Sequence, residues 1–260
     1  MFDFHMHSLV SFDSDDAPEL MARAALQQGL KEICFTDHVD DDPKGVDRHR
    51  FTIESYNEAY DGLCVPGITI RRGLEFGMLK DNQPLLQEYL SRRHFDFVIG
   101  SVHYVDLWDA YYAQYWEGKT QEYAELRYME TTLECVRNHR DFDVLGHLTY
   151  ISKARSNPTK RLIPYEWYRE VYDEILKLLV AKGKGMEINS SGVDRCGDFL
   201  PGIAYLKLFK ELGGQIVTVG SDAHTTDRVG QYTSDAVAIA GEIFGHVCTF
   251  RGRQPLFHKL

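Results

Sequence analysis

Two histidines one residue apart, His5 and His7, close the apolar opening Phe2-Asp3-Phe4. In a strand, residues i and i+2 face the same way, so both imidazoles would aim at one point. Neutral imidazole is the commonest protein ligand for zinc-like metals. A pair alone decides little; partners decide. The same i, i+2 arrangement returns near the other end as Asp222 and His224, in Gly220-Ser221-Asp222-Ala223-His224. Between them lie Asp13, Asp37-His38, Gly73-Leu74-Glu75, Ser101-Val102-His103 and Gly146-His147. Of 11 histidines, six (His5, His7, His38, His103, His147, His224) fall at the ends of expected strands. His49, His94, His139, His246 and His258 fall elsewhere and read as incidental.

The elements that must position these side chains follow a repeating rhythm of apolar strand, ligand-type residue, loop and amphipathic helix. Strands are expected at about 2–6, 32–36, 68–74, 95–102, 142–145, 185–189 and 215–219, with a short one near 246–250. Helices are expected at about 17–29, 55–63, 83–93, 120–138, 165–182, 202–212 and 235–244. Asp16 reads as the N-cap of the first helix, Pro18 suits its first turn and Gly29 its end. Strands alternating with helices give a parallel sheet. In a closed barrel the C-terminal strand ends converge on one face, where active sites of such barrels lie.

The 260 residues, 43% hydrophobic and 26% charged, suit one (β/α) barrel spanning residues 1–260. The net charge of −10 argues against nucleic acid or an anionic membrane as partner. The five cysteines are scattered and show no C-x-x-C, as expected of idle thiols in a reducing compartment. Met1 leads directly into a strand without an apolar leader, and no apolar run approaches the roughly 18 residues of a membrane span. The expected location is cytoplasmic.

Taken together, H-x-H, Asp13, T-D-H, G-L-E, S-V-H, G-H-L and G-S-D-A-H resemble the polymerase-and-histidinol-phosphatase (PHP) superfamily along essentially the whole chain. The length, the Ser-Val-His motif and the Glu187–Gly192 segment are most similar to its stand-alone histidinol-phosphate phosphatases. The resemblance implies a distorted (β/α)7 TIM-like barrel and a cluster of three divalent ions. By that resemblance His5, His7, Glu75 and Asp222 hold the first ion. Glu75 bridges to a second, held also by His103 and His147. Asp13, His38 and His224 hold the third. Some relatives carry histidine in the slot of Asp13, and Asp15 is a nearby alternative. Zinc, iron and manganese all suit imidazole with carboxylate. Asp37 is open to two roles, capping a helix or hydrogen-bonding a ligand imidazole.

Six neutral imidazoles, three carboxylates and three divalent ions would carry a net charge of about +3, which attracts a phosphate dianion. Such ions also bring the pKa of water from about 15.7 towards neutrality. Glu75, Asp222 and His224 are the expected catalytic ligands. Guanidinium groups bind phosphate oxygens bidentately, so Arg155 and Arg195 are expected to contact substrate, with Lys153 as a further candidate. An amine or imidazole on the substrate would suit Asp40-Asp41-Asp42 or the aromatic set Tyr104, Trp108, Tyr111 and Tyr112. The expected activity is release of phosphate from L-histidinol phosphate, a small-molecule ester, in histidine biosynthesis. Alternatives are another phosphomonoester or a nucleotide phosphodiester in the same site. More distant readings are an amidohydrolase-type hydrolase and a non-catalytic metal-binding domain. The first lacks a lysine near the end of the fourth strand, and the second would be expected to have lost ligands.

Overall fold

Seven parallel strands form the central sheet in the computed structural model, which describes residues 1–45 and 48–260. They are β1 (Phe2–Met6), β2 (Glu32–Phe35), β3 (Thr69–Gly77), β4 (Phe97–Ser101), β5 (Val144–Leu145), β6 (Gly185–Asn189) and β7 (Val217–Gly220). Neighbours in sequence are neighbours in the sheet, all parallel. The last strand comes back to the first. Met6 bridges Ala223, His7 N donates to Ala223 O at 2.8 Å, and Asp222 N donates to His5 O at 2.7 Å. The sheet therefore nearly closes, and its C-terminal ends face one space.

Helices α1 (Pro18–Gln27), α2 (Ile53–Tyr60), α3 (Gln83–Arg92), α4 (Gln121–Asn138), α5 (Arg169–Ala181), α6 (Ile203–Glu211) and α7 (Thr233–Phe244) follow the strands. Their buried stripes, such as Tyr172, Ile175, Leu176 and Leu179 of α5, pack into the main core. A smaller cluster gathers Phe4, Cys34, Phe97, Ile99 and Val144 from four strands against Phe250. Phe250 belongs to an antiparallel C-terminal hairpin, His246–Arg251 with Gln254–Lys259. Among the described residues no helix is long and apolar enough to cross a membrane.

Some local expectations give way to tertiary partners. Ala17, not Asp16, is the N-cap of α1. Asp16 instead accepts from Thr226 N at 2.7 Å, tying the loop after β1 to the loop after β7. Asp40 and Asp41 lie in a short strand, His38–Asp41, that pairs with β3. The expected helix at 165–182 opens as a 3-10 turn, Tyr165–Trp167, before α5 begins.

Candidate metal centre

The imidazoles of His5 and His7 converge as their spacing predicts. Their Nε2 atoms stand 3.4 and 3.6 Å from Glu75 Oε2, and 3.7 and 3.4 Å from Asp222 Oδ1. Both nitrogens and Glu75 Oε2 are buried without a hydrogen-bond partner. Polar atoms left unpartnered are costly in a protein interior. A tetrahedral ion bound at about 2.0–2.2 Å has ligand–ligand edges of about 3.3–3.6 Å. Three of the four distances fall in that range and the fourth, 3.7 Å, lies just above it, so the residues fit a metal.

Glu75 presents its other oxygen, Oε1, to His103 Nε2 at 3.3 Å and His147 Nε2 at 2.7 Å. The Ser101 hydroxyl donates to the same oxygen at 2.6 Å. Glu75 thus stands between two groups of imidazoles. On the solvent side Asp13 Oδ2 lies 3.2 Å from His224 Nε2 and 3.6 Å from His38 Nε2. His7 stacks on both rings, at 4.1 Å from His224 and 4.3 Å from His38. Asp15 is exposed and makes no ion pair with these histidines among the described residues. The nine residues expected as ligands come together, and Asp13 and His224 form the open side.

Residues beyond those nine fix the rings. Glu187 on β6 accepts from His5 Nδ1 at 2.6 Å, leaving Nε2 bare, and its other oxygen accepts from His147 N at 2.8 Å. Asp40 Oδ2 lies 3.0 Å from His103 Nδ1 and 3.2 Å from His38 Nδ1. Asp40 is therefore a buried partner of two imidazoles and not the substrate contact expected of it. Asp37 takes neither role foreseen for it. It accepts from Ser8 N at 2.8 Å, Tyr60 OH at 2.5 Å and Ser11 Oγ at 3.1 Å, and Ser11 Oγ in turn meets His7 Nδ1 at 3.0 Å. Its hold on a ligand ring passes through one hydroxyl. Glu187 left a signal in the sequence: a carboxylate inside an apolar parallel strand must find a buried partner.

Backbone geometry brings these groups close. Asp222 takes a left-handed φ of 57°, which only a few residue types tolerate. A Cβ on Gly220 would meet the Cβ of His5 and, at 2.5 Å, Glu187 Oε1. Glycine at this position lets β7 approach β1 at the site.

The carboxylates raise the pKa of three of the rings. Burial opposes charge on His103, yet Asp40 and Glu75 outweigh it and push its pKa up to about 10. Burial also opposes charge on His5 and His38, and Glu187 and Glu75 respectively lead the carboxylates that raise both. His7 goes the other way: burial, then the charges of His224 and His38, lower it to about 3. Burial resists ionisation of Glu75 and Asp222, but neighbouring cations hold both well below the carboxylate range.

A cavity of about 340 Å³ opens over this centre. Lys153, Arg195, Arg228, Ser191, Asp109, Tyr111 and Tyr112 are among its lining. Lys153 pairs with Asp222 Oδ2 and donates to Ser191 Oγ at 2.9 Å. Arg195 is exposed on the lip of the cavity. Arg155 is exposed and stands outside the lining, its charge reaching Tyr112 at the mouth. Trp108 is engaged by Lys44, whose Nζ lies 3.7 Å from the ring centroid, and neither it nor Tyr104 lines the cavity.

The PHP domain model matches residues 3–191, most of the chain. The chain belongs to the PHP family. Its barrel is the distorted TIM-like form of that family. The PHP chain is 33% identical to the histidinol-phosphatase of Lactococcus lactis subsp. lactis over 233 residues, covering 87% of this chain and 85% of that one. It is 28% identical to a probable histidinol-phosphatase of Clostridium acetobutylicum, covering 92% of each. Its fold matches the crystal structure of the Lactococcus lactis histidinol phosphate phosphatase complexed with zinc, L-histidinol and phosphate. The TM-score is 0.81, with 28% identity and 98% of each chain covered.

Proposed function

We propose that this PHP protein is a histidinol-phosphatase, hydrolysing L-histidinol phosphate to L-histidinol and inorganic phosphate with three divalent ions. One observation carries the reading. The chain matches the Lactococcus histidinol-phosphatase over nearly its full length in fold, and over most of it in sequence, with bare nitrogens and carboxylate oxygens converging beneath the cavity. The sheet runs from Phe2 to Gly220 and the C-terminal hairpin packs into its interior, which supports treating residues 1–260 as one unit.

His5, His7, Glu75 and Asp222 would hold the first ion, Glu75, His103 and His147 the second, and Asp13, His38 and His224 the third. Bound divalent ions there would polarise phosphoryl oxygens and lower the pKa of water. Glu75, Asp222 and His224 act as ligands facing the reacting phosphate. Lys153 Nζ, beside Asp222 on the cavity wall, would bind a phosphoryl oxygen and offset its growing charge. Arg195 would close a guanidinium over the phosphate from the lip, and Arg155 would add charge at the mouth. Glu187, Asp40 and the Asp37–Ser11 pair hold imidazoles in the orientation that leaves the facing nitrogen free. The reading also takes the cytoplasm as the place of action, in keeping with five unpaired cysteines.

The test is the ratio of kcat/KM for L-histidinol phosphate to that for p-nitrophenyl phosphate on the zinc-loaded protein. A ratio well above one is expected. Equal turnover of the two esters would remove the assignment of substrate.

A further inference from the structure

Parallel ladders join β1 to β7 in order, but the seam where β7 returns to β1 has none. Among the described residues it is held by the Met6–Ala223 bridge and by the backbone bonds of His7 N to Ala223 O and Asp222 N to His5 O. The candidate ligands meet across this seam. His5 and His7 come from β1, Asp222 and His224 from the segment after β7.

Asp3 supplies what a ladder does not. Its side chain is fully buried. Oδ1 accepts from Ser221 N at 2.9 Å, and Oδ2 accepts from the Ser221 hydroxyl at 2.5 Å and from Gly230 N at 3.0 Å. Among the described residues no cation pairs with it. A buried carboxylate without a counter-ion is costly unless donors satisfy it. Ionised, it is acceptor-only at both oxygens, so it can meet N–H groups on both sides.

Those two N–H groups bracket the segment 221–230. Ser221 stands immediately before Asp222, whose φ of 57° is left-handed, and Gly230, with φ 71°, stands where the chain turns into α7. Asp222, His224 and Arg228 lie between them. One side chain on β1 thus pins both ends of the segment that brings ligands from the far side of the seam. Asp3 also acts on its own strand. It pairs with Ile33 and Met6 pairs with Phe35, so Phe4 and His5 stand against the single residue Cys34. Such an extra residue re-aims side chains. Asp3 stands at its start, with Oδ1 3.4 Å from His5 N.

We propose that Asp3 is a positioning residue for the metal centre, setting the spacing between the β1 imidazoles and the Asp222–His224 pair; this rests on the ligand assignment proposed above. His103 and His147 follow β4 and β5, away from the seam. Loss of Asp3 therefore disturbs the ions unequally.

The test uses Asp3→Asn, which keeps the shape and removes one acceptor. In either orientation its amide nitrogen faces a backbone N–H, that of Ser221 or that of Gly230. Zinc binding to the chelator-stripped protein, read by competition with a chromophoric chelator, should show one equivalent held as in the native protein. The others should weaken about 10–100-fold, the range for loss of a group that orients ligands. Undiminished affinity for every equivalent overturns the proposal. So does equal weakening of all, which marks a general loss of stability. Hydrogen exchange in the metal-free protein reads the positioning itself. Amides of 221–230 should exchange at least about tenfold faster in Asp3→Asn, with those of β3 and β4 unchanged. Unchanged exchange in 221–230, or an increase spread evenly over the chain, overturns it. Should Asp3→Asn not fold, Ser221→Ala removes the hydroxyl donor alone and should give the same unequal zinc pattern at about tenfold; absence of that pattern overturns the proposal. If the native protein binds fewer than three equivalents, the ligand assignment fails separately, and exchange in 221–230 then decides the role of Asp3.

Discussion

Replacing Glu187 with glutamine tests whether a buried carboxylate outside the ligand set governs metal binding. Glu187 uses both oxygens as acceptors, from His5 Nδ1 at 2.6 Å on one side and from His147 N at 2.8 Å and Asn189 Nδ2 at 3.2 Å on the other. Glutamine has the same shape but only one acceptor oxygen. With its carbonyl towards His5, its amide hydrogens face the His147 N–H; flipped, they face His5 and favour the wrong tautomer. The first leaves a buried donor unmet, at about 1–3 kcal/mol, and the second puts a proton on His5 Nε2, the nitrogen that faces the metal site. Each 1.4 kcal/mol is about tenfold, which agrees with the roughly 10–100-fold lost when a partner of a ligand histidine is removed. Zinc affinity, read by competition with a chromophoric chelator on protein checked by circular dichroism, should therefore weaken about 10–100-fold for at least one bound equivalent. Zinc binding with unaltered stoichiometry and affinity would show that Glu187 does not set the orientation of His5.

Other outcomes follow from the same geometry. In the metal-free protein His103 is raised to about 10, and its charge stabilises the fold fully below the unfolded value of about 6.5. That stabilisation is lost as pH rises through about 10. Zinc must displace the same proton, so zinc affinity should rise with pH over this window while metal-free stability falls. Calorimetry in buffers of different ionisation enthalpy should show proton release, and its absence near neutral pH would contradict the assignment. Gly220→Ala should destabilise the protein by about 1–3 kcal/mol, lowering Tm by about 2–4 °C per kcal/mol, and reduce bound zinc. An unshifted Tm would mean β1 and β7 yield freely. Lys153→Met should raise KM for phosphate esters and weaken inhibition by inorganic phosphate about tenfold or more. Unchanged phosphate inhibition would remove Lys153 from the substrate site.

The convergence of the strand-end residues was legible because strand geometry is nearly deterministic, whereas their division among three ions was what the resemblance to the PHP superfamily implied. Residues two apart share a face, and parallel strand ends in a barrel converge, so His5, His7, Asp222 and His224 could be placed before any coordinates. What was not legible depends on who meets whom across the barrel. Asp40 reads as one of three acids open to a cationic group of the substrate, yet it lies in a strand beside β3 and turns to His103. Asp16 has the residue type of a cap, but the loop after β7 offers Thr226 N instead. Lys153 and Arg155 differ by two residues in sequence; the former faces Asp222 and the latter solvent. The C-terminal hairpin carried a readable turn, Gly252-Arg253, both with left-handed φ, but its second strand, Gln254–Lys259, is mostly exposed and lacks strong alternation.

The central claim is that nine side chains hold three ions that make the cavity a phosphatase site. Titrating zinc into chelator-stripped protein while following phosphate release from L-histidinol phosphate tests it most directly. Release should be negligible without metal, grow with added zinc and level off at three equivalents per chain. Phosphate release that is undiminished in the stripped protein, or that never appears at any zinc level, would contradict the account.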